Sequence, residues 1–505
     1  MTEAQPRRYA APVPVASPGL GPLRFGPTVL LFLAPALALL VTMRAGSAAG
    51  MLVLLAAVLL AAPLVARRRG RPLYVAIGNR LRRKAVERSG GTVYRSGLFG
   101  VTPDGALRLP GLLARAECRS VPTDGLGRPF ALLEYPGSRQ WAVVLRVVPE
   151  GGALVDPDTH DHRVGEWGQL LATCGQLGRG AALVTATVET QPDDGALLQA
   201  HVASLIQPGA PDFARHVLTA AAQELPSGVS STVGHVAITF TEKSLGIEHS
   251  ACREARAETA AAEFGRMLPD LSAQLVHAGA STAVPLDAWA LTQRIKEAFD
   301  PAAVLQHAQL AAAGEPVRIR WEDCGPRAAD DLARCYVHDS GASVVFEATR
   351  MPRGSITDTV LDTLAGPMRL APRKRLTLLY RPVPADIAAV VVDRDVKAGI
   401  NRASRRRGPV HAHDAAALAA AERAAAEEAA GAGVADMSLA VTVTAHTAAG
   451  EDLTEAAAAI ARAGRSSFRL TRVDGGHAAA FAVGLGIGLD PWSLAVVPAG
   501  LRDHL

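Results

Sequence analysis

The sequence predicts an α+β chain: an N-terminal two-helix transmembrane hairpin followed by cytoplasmic ferredoxin-like or similar α/β sandwich domains in a loosely duplicated layout. Three observations carry this expectation. Residues 25–66 are almost free of charge, an arginine-rich run follows at once, and the rest of the chain alternates strand-like with helix-like segments. The expected organisation is a disordered tail over 1–24, the hairpin over 25–66, a basic juxtamembrane segment over 67–91, and α+β domains over 92–313 and 314–505.

With 505 residues, 49% of them hydrophobic, the chain can bury sizeable cores, and its formal net charge of +4 is too small for wholesale wrapping by nucleic acid. The five cysteines are odd in number and widely spaced, with no CxxC pair, so neither a disulfide framework nor a zinc ribbon is indicated. Phe25 to Met43 is apolar apart from Thr28 and Thr42, and Ala48 to Ala66 has no charge. As helices each would extend about 28 Å, close to the hydrocarbon thickness of a bilayer. Only Arg44 to Ser47 separates them, which implies an antiparallel hairpin. Arg67, Arg68, Arg69, Arg71, Arg80, Arg82, Arg83 and Lys84 follow the second stretch, so the excess of positive charge predicts a multi-pass cell-membrane protein with both termini cytoplasmic. Those residues are also the first candidate contact with anionic lipid or a partner.

Strands are expected at Phe130–Glu134, Trp141–Val148, Ala182–Thr190 and Val233–Glu242, and helices at Glu166–Leu177, Asp212–Glu224, Ala251–Leu268 and Leu286–Phe299. The Gly-Glu-Pro break at Gly314–Pro316 suggests a boundary. Beyond it, strands are expected at Val317–Trp321, Ser343–Thr349 and Leu376–Tyr380, with helices at Ile356–Leu364 and His413–Ala430. The closing unit reads as strand Ser438–Ala445, helix Glu451–Ala463, then strands Ser467–Thr471 and His477–Leu485, the order of half a ferredoxin-like sandwich. Arg402, Arg405, Arg406 and Arg407 form a second basic run, suited to a carboxylate, a phosphate or anionic lipid.

Catalytic signatures are scarce. No Gly-Lys dipeptide exists to build a phosphate loop, and neither HExxH nor GxSxG occurs. Gly175–Gly180 reads as a helix stop and Gly484–Gly488 as a turn. Asp156, Asp158, His160, Asp161 and His162 have metal-ligand chemistry but are expected on one loop without a rigid frame. Cys335 and His338 place a nucleophile near a base, which keeps a membrane-anchored enzyme among the alternatives. No catalytic residue, cofactor or metal is assigned.

Several segments together resemble the two-span membrane proteins encoded beside conjugation ATPases in actinobacterial type IV-like transfer systems, loosely called PrgI-like. They are the uncharged pair of stretches in 25–66, the run Arg67–Lys84, the segment Pro285–Pro301 ending in Phe-Asp-Pro, Tyr336–Asp339, Arg350–Arg353 and Leu379–Pro384. Met437 to Asp490 is similar to the non-catalytic N-terminal region of the transfer ATPases, without their motor domain. The resemblance implies a non-catalytic structural subunit that sits in the lipid bilayer, docks a transfer ATPase and assembles with other apparatus subunits as an oligomer, with no direct nucleic-acid binding expected. A membrane-core component of a type VII-like secretion system is the alternative.

Overall fold

The computed structural model describes residues 8–10, 25–49, 51–52, 55, 67–68, 71–100, 105–151, 155–176, 180–224, 230–248, 250–350, 355–404, 412–465 and 468–494. Two compact units emerge: residues 1–12 with 93–490, and residues 13–92 with 491–505.

The second unit corrects the membrane expectation. Among the described residues no helix is long and apolar enough to cross a membrane. The transmembrane hairpin, the multi-pass placement and the topology with both termini cytoplasmic are therefore withdrawn. An uncharged run establishes apolar composition, whereas a crossing needs one continuous helix that satisfies every backbone group within the segment. The first stretch forms helix α1 (Phe25–Ala45), but Pro35 lies inside it and withdraws one amide from its ladder. Of the second stretch only Ala48, Ala49, Met51, Leu52 and Leu55 are described, so that part of the expectation lies outside the described residues. The basic run enters a short pairing of Arg67–Arg68 with Arg71–Pro72 and then helix α2 (Leu73–Arg88).

The first unit is one large antiparallel sheet of 13 strands, which replaces the separate sandwich domains expected. Its strands are β1 (Val93–Arg95), β2 (Glu117–Val121), β3 (Phe130–Tyr135), β4 (Gln140–Pro149), β5 (Leu183–Pro192), β6 (Ser230–Thr241), β7 (Ala280–Pro285), β8 (Ala328–Asp331), β9 (Tyr336–His338), β10 (Gly341–Arg350), β11 (Lys374–Pro382), β12 (Ala435–Ala445) and β13 (Arg469–Arg472). The order across the sheet is β1-β8-β9-β10-β12-β11-β5-β6-β4-β3-β2, with β7 beside β4 and β13 beside β10.

The pairing registers reveal an internal repeat. In the first half, β4, helix α3 (Pro157–Gln176), β5, β6, helix α6 (Arg253–His277) and β7 follow one another, and the strands lie in the order β7-β4-β6-β5. In the second half, β10, the short helix α9 (Asp362–Ala365), β11, β12, helix α12 (Leu453–Ala463) and β13 follow one another in the matching order β13-β10-β12-β11. Each is a split βαββαβ unit. Each is also preceded by two further antiparallel strands, β2-β3 and β8-β9, and followed by a helix, α7 (Ala288–Phe299) and α13 (His477–Gly484). Into each hairpin between the second and third strands of the unit a pair of helices is inserted: α4 (Ala196–Leu205) with α5 (Asp212–Glu224), and α10 (Ala385–Ser404) with α11 (Ala412–Ala429). Helix α8 (Pro301–Ala312) links the halves.

The repeats join edge to edge. β5 and β11 pair antiparallel from Lys374 opposite Thr190 to Tyr380 opposite Val184, with Thr377 opposite Thr187 at an approximate twofold axis. Alternation along each strand then separates two chemistries. One face carries Phe130, Trp141, Val143, Val184 and Ile238 under Leu170, Phe264 and Leu268 of α3 and α6, and Val344, Leu376 and Val441 under Leu364 and Ile460 of α9 and α12. The other face carries Thr185, Thr187, Glu189, His235, Thr239, Arg375, Thr377, Thr442 and Thr444, all but Glu189 buried.

Residues Gly484 to Asp490 lie across this polar face as a strap. Thr377 Oγ1 donates to the Gly484 carbonyl at 3.1 Å, the Tyr135 hydroxyl to Ile487 at 2.7 Å, and Thr239 Oγ1 to Gly488 at 2.7 Å. Gln140 Nε2 donates to Asp490 Oδ2 at 3.0 Å. The strap thus begins on the second repeat and ends on the first. It was expected as a turn after a strand at His477–Leu485; that segment is the helix α13. Its alanine-rich spacing suits either period, so packing against β10 and β12 settles the outcome.

Candidate functional site

The inserted helix pairs expose several large apolar side chains of the first unit. Helix α4 starts from Gly195, whose positive φ of 73° allows a tight entry, while Asp193 Oδ1 accepts from the Gly195 amide at 2.8 Å and Asp194 Oδ1 from the Ala196 amide at 3.0 Å. Asp194 is held in turn by Gln309 Nε2 of α8 at 3.1 Å, so one end of α4 is anchored to the body. Its side chains are not absorbed by that body: no residue of α4 is buried, and Leu197, Leu198 and Leu205 are exposed. On α5, Phe213 is 80% exposed and Val217 and Leu218 are exposed beside it. Phe213 and Val217, four residues apart, share one helical face, and Leu218 lies round the helix from them. The equivalent pair in the second repeat exposes Ile387, Val390 and Ile400 on α10, and buries Ala388, Val392, Ala420 and Ala421.

A cavity of about 120 Å³ lies at the β3-β4 hairpin, lined by Glu134, Tyr135, Gln140, Trp141, Glu242 and Arg256 among others. Its two carboxylates are both buried and both occupied. Arg253 Nη2 reaches Glu134 Oε2 at 2.9 Å and Arg256 Nη1 reaches Glu242 Oε1 at 3.0 Å. Hydrogen bonds that it donates to Glu117 and Glu134 hold the Arg253 guanidinium charged.

The other sequence candidates disperse. Asp156 precedes, and Asp158, His160, Asp161 and His162 lie within, the first turns of α3, correcting the expected loop; among the described residues no group of three or more His, Cys, Asp or Glu could hold a metal ion. Cys335 packs with the apolar cluster under α12, while His338 belongs to the opposite face, where it is wholly buried. The sheet separates them, and burial pushes the Cys335 thiol up, so the two do not form a nucleophile and base. Of the basic residues, Arg80, Arg82 and Lys84 are exposed on α2 and Arg83 pairs with Glu87 at 2.7 Å. Arg67, Arg68 and Arg71 are placed by their backbone alone, Arg402 is in the last turn of α10, and Arg69, Arg405, Arg406 and Arg407 lie outside the described residues.

His338 has a structural role with a pH signature. Its Nδ1 donates to the Phe299 carbonyl at 2.5 Å, and Nε2 accepts from Ser343 Oγ at 2.7 Å, which also contacts Thr444 Oγ1 at 2.7 Å. Burial lowers its pKa to about 4, because the cation would lose its hydration. Protonation therefore favours the unfolded chain. The stability present above the ordinary value of about 6.5 is lost as pH falls, and the loss saturates below about 4. Urea titrations at pH 7.5 and pH 4.5 are expected to show a decrease on the order of 2–3 kcal/mol from this residue, largely absent in His338→Gln. An equal pH dependence in that variant would refute the assignment.

Fold and surface together define a duplicated antiparallel-sheet protein with two helical insertions and no assembled catalytic group among the described residues. A family described as a domain of unknown function (DUF8461) matches residues 16–75, a small N-terminal part of the chain. No curated protein matches, and no secretion-system relative is therefore found to support membership of a conjugation or secretion apparatus.

Proposed function

We propose that the chain is a non-catalytic structural subunit whose inserted helices dock an ATPase of a bacterial transfer apparatus. The observation that supports this reading most is the set of unburied apolar side chains Phe213, Val217 and Leu218 on α5 with Leu197, Leu198 and Leu205 on α4. Monomeric surfaces seldom leave so many large apolar side chains together unless a partner covers them. The resemblance of Met437 to Asp490 to the non-catalytic region of transfer ATPases supports the choice of partner, and the repeat of the insertion in the second half supports a scaffolding role.

The test uses the full-length chain and a purified transfer-system ATPase. Phe213→Glu combined with Leu218→Glu is expected to weaken co-purification at least tenfold, while circular dichroism and melting temperature stay within error, because both side chains face solvent. Undiminished recovery of the ATPase by the double variant would sink the proposal.

A further inference from the structure

The seam between the repeats holds a concentration of positive charge that the fold itself does not require. Arg375 on β11 stands directly opposite Glu189 on β5. Arg294 of α7 and Arg373, just before β11, are placed near the same pair; Arg294, Arg373 and Arg375 are 8%, 8% and 4% exposed. Glu189 lies between two of them without a well-formed hydrogen bond to one: its carboxylate oxygens are 3.4 Å from Arg294 Nε and 3.6 Å from Arg375 Nη1. The remaining acids nearby are engaged. Glu297 meets Gln293 Nε2 at 2.8 Å and His307 Nδ1 at 2.9 Å, and Glu451 accepts from the His446 amide at 2.6 Å. Among the described residues five buried arginine nitrogens consequently have no hydrogen-bond acceptor, Nη1 of Arg294, Nε and Nη1 of Arg373, and Nε and Nη2 of Arg375, while Arg294 Nε has only the long ion pair to Glu189. Only Arg294 Nη2, which donates to the Leu485 carbonyl of the strap at 2.6 Å, and the Arg375 guanidinium, 4.7 Å over the Phe481 ring, have a further fixed contact. His235 beside them is held neutral by burial and by the Arg294 and Arg146 charges.

The twofold axis supplies an internal comparison. On one side of the Thr187–Thr377 pair stand Glu189 and Arg375; at the symmetric place on the other side stand Thr185 and Leu379. The helix equivalent to α7, α13, contains no arginine. The same backbone is thus built once without charge and once with three guanidinium groups, of which Arg294 and Arg375 share Glu189 while Glu451 and Glu297 act on Arg373 and Arg294 from further off. Buried charge with incomplete pairing is costly, and a cluster kept on one side of the dyad points to a ligand.

We propose that Arg294, Arg373 and Arg375 form a buried site for a small tetrahedral oxyanion, inorganic phosphate being the probe, at the seam of the two repeats. Guanidinium forks suit the oxygens of such an anion, whose paired acceptors match the planar donor geometry better than a spherical ion does. Desolvation depresses all three arginines, most for Arg375, brought down to about 10, in keeping with cations that lack sufficient counter-charge. The site is independent of the docking surface on α4 and α5.

Isothermal titration and thermal melting of the full chain with sodium phosphate, against sodium chloride of equal ionic strength, test the proposal. Phosphate is expected to bind and to raise the melting temperature by a few degrees at roughly 100 times its Kd, chloride to do neither. Arg373→Gln is expected to weaken phosphate binding at least tenfold. Glu189→Gln separates a ligand site from a merely structural cluster: removing the competing carboxylate should tighten phosphate binding several-fold while lowering the melting temperature of the phosphate-free protein. Equal responses to phosphate and chloride overturn the proposal, as does phosphate binding that Arg373→Gln leaves intact or that Glu189→Gln weakens. Tighter binding of a nucleotide than of inorganic phosphate would overturn the assignment to a small anion.

Discussion

Gly486→Ala is expected to destabilise the folded chain by about 2–4 kcal/mol, the sum of two separate penalties. Gly486 has φ of +64°, which a side chain seldom adopts, and a Cβ built on it would lie 2.0 Å from Thr187 Oγ1. Neither can relax cheaply. Thr187 is buried at the twofold axis opposite Thr377, and the strap is held on both flanks by Thr377, Tyr135 and Thr239. Gly484 and Gly488 repeat the arrangement against Thr442 and Thr239, at 2.5 and 2.4 Å from the corresponding oxygens. The alternate glycines thus let one segment pass close over threonines of β12, β5 and β6. Urea denaturation of the variant measures the penalty. Thr187→Ala in the Gly486→Ala background should recover part of it by removing the hydroxyl, and a change below 0.5 kcal/mol in the single variant would show that the strap does not bear on the sheet.

Phe299→Ala is expected to cost about 3–5 kcal/mol, as for other fully enclosed aromatics. Phe299 ends α7 of the first repeat, yet its neighbours belong to the second: Phe481 with ring centroids 5.0 Å apart, His338 at 6.1 Å and Tyr336 at 6.5 Å. Its carbonyl also receives the His338 proton. Truncation therefore opens a void and loosens the contact that carries one repeat over the other. Two-state unfolding should persist at lower denaturant, because the β5-β11 seam still joins the halves. A biphasic transition would instead show that this aromatic group, rather than the seam, makes them cooperative.

Local pattern recovered many of the elements. The alternation in Trp141–Val148 and Ser343–Thr349 lies within observed strands, Ala182–Thr190 coincides with one from Leu183 on, and Asp212–Glu224 is the observed α5. Val317–Trp321 is not a strand, and Ile356–Leu364 divides among a short strand, a 3-10 turn and α9. What pattern could not supply is pairing between distant segments. Glu189 and Arg375 are opposite each other only because β5 and β11 share a register, and the repeat is visible in strand order but not in residue identity. The helix over Asp212–Glu224 was legible in the sequence; that Phe213, Val217 and Leu218 remain uncovered on it depends on where α4, α5 and α8 pack. Over residues 25–66 composition alone predicts a membrane hairpin, whereas among the described residues no helix is long and apolar enough to cross a membrane.

The antiparallel seam also sets a distance. β5 and β11 run oppositely, so the insertions that follow them leave from opposite ends of the shared ladder, roughly 30 Å apart at about 3.3 Å per residue. With no hinge between the halves, that separation is fixed by backbone hydrogen bonds. A bivalent ligand bridging both insertions must match this span or forfeit the avidity that a flexible linker would have granted.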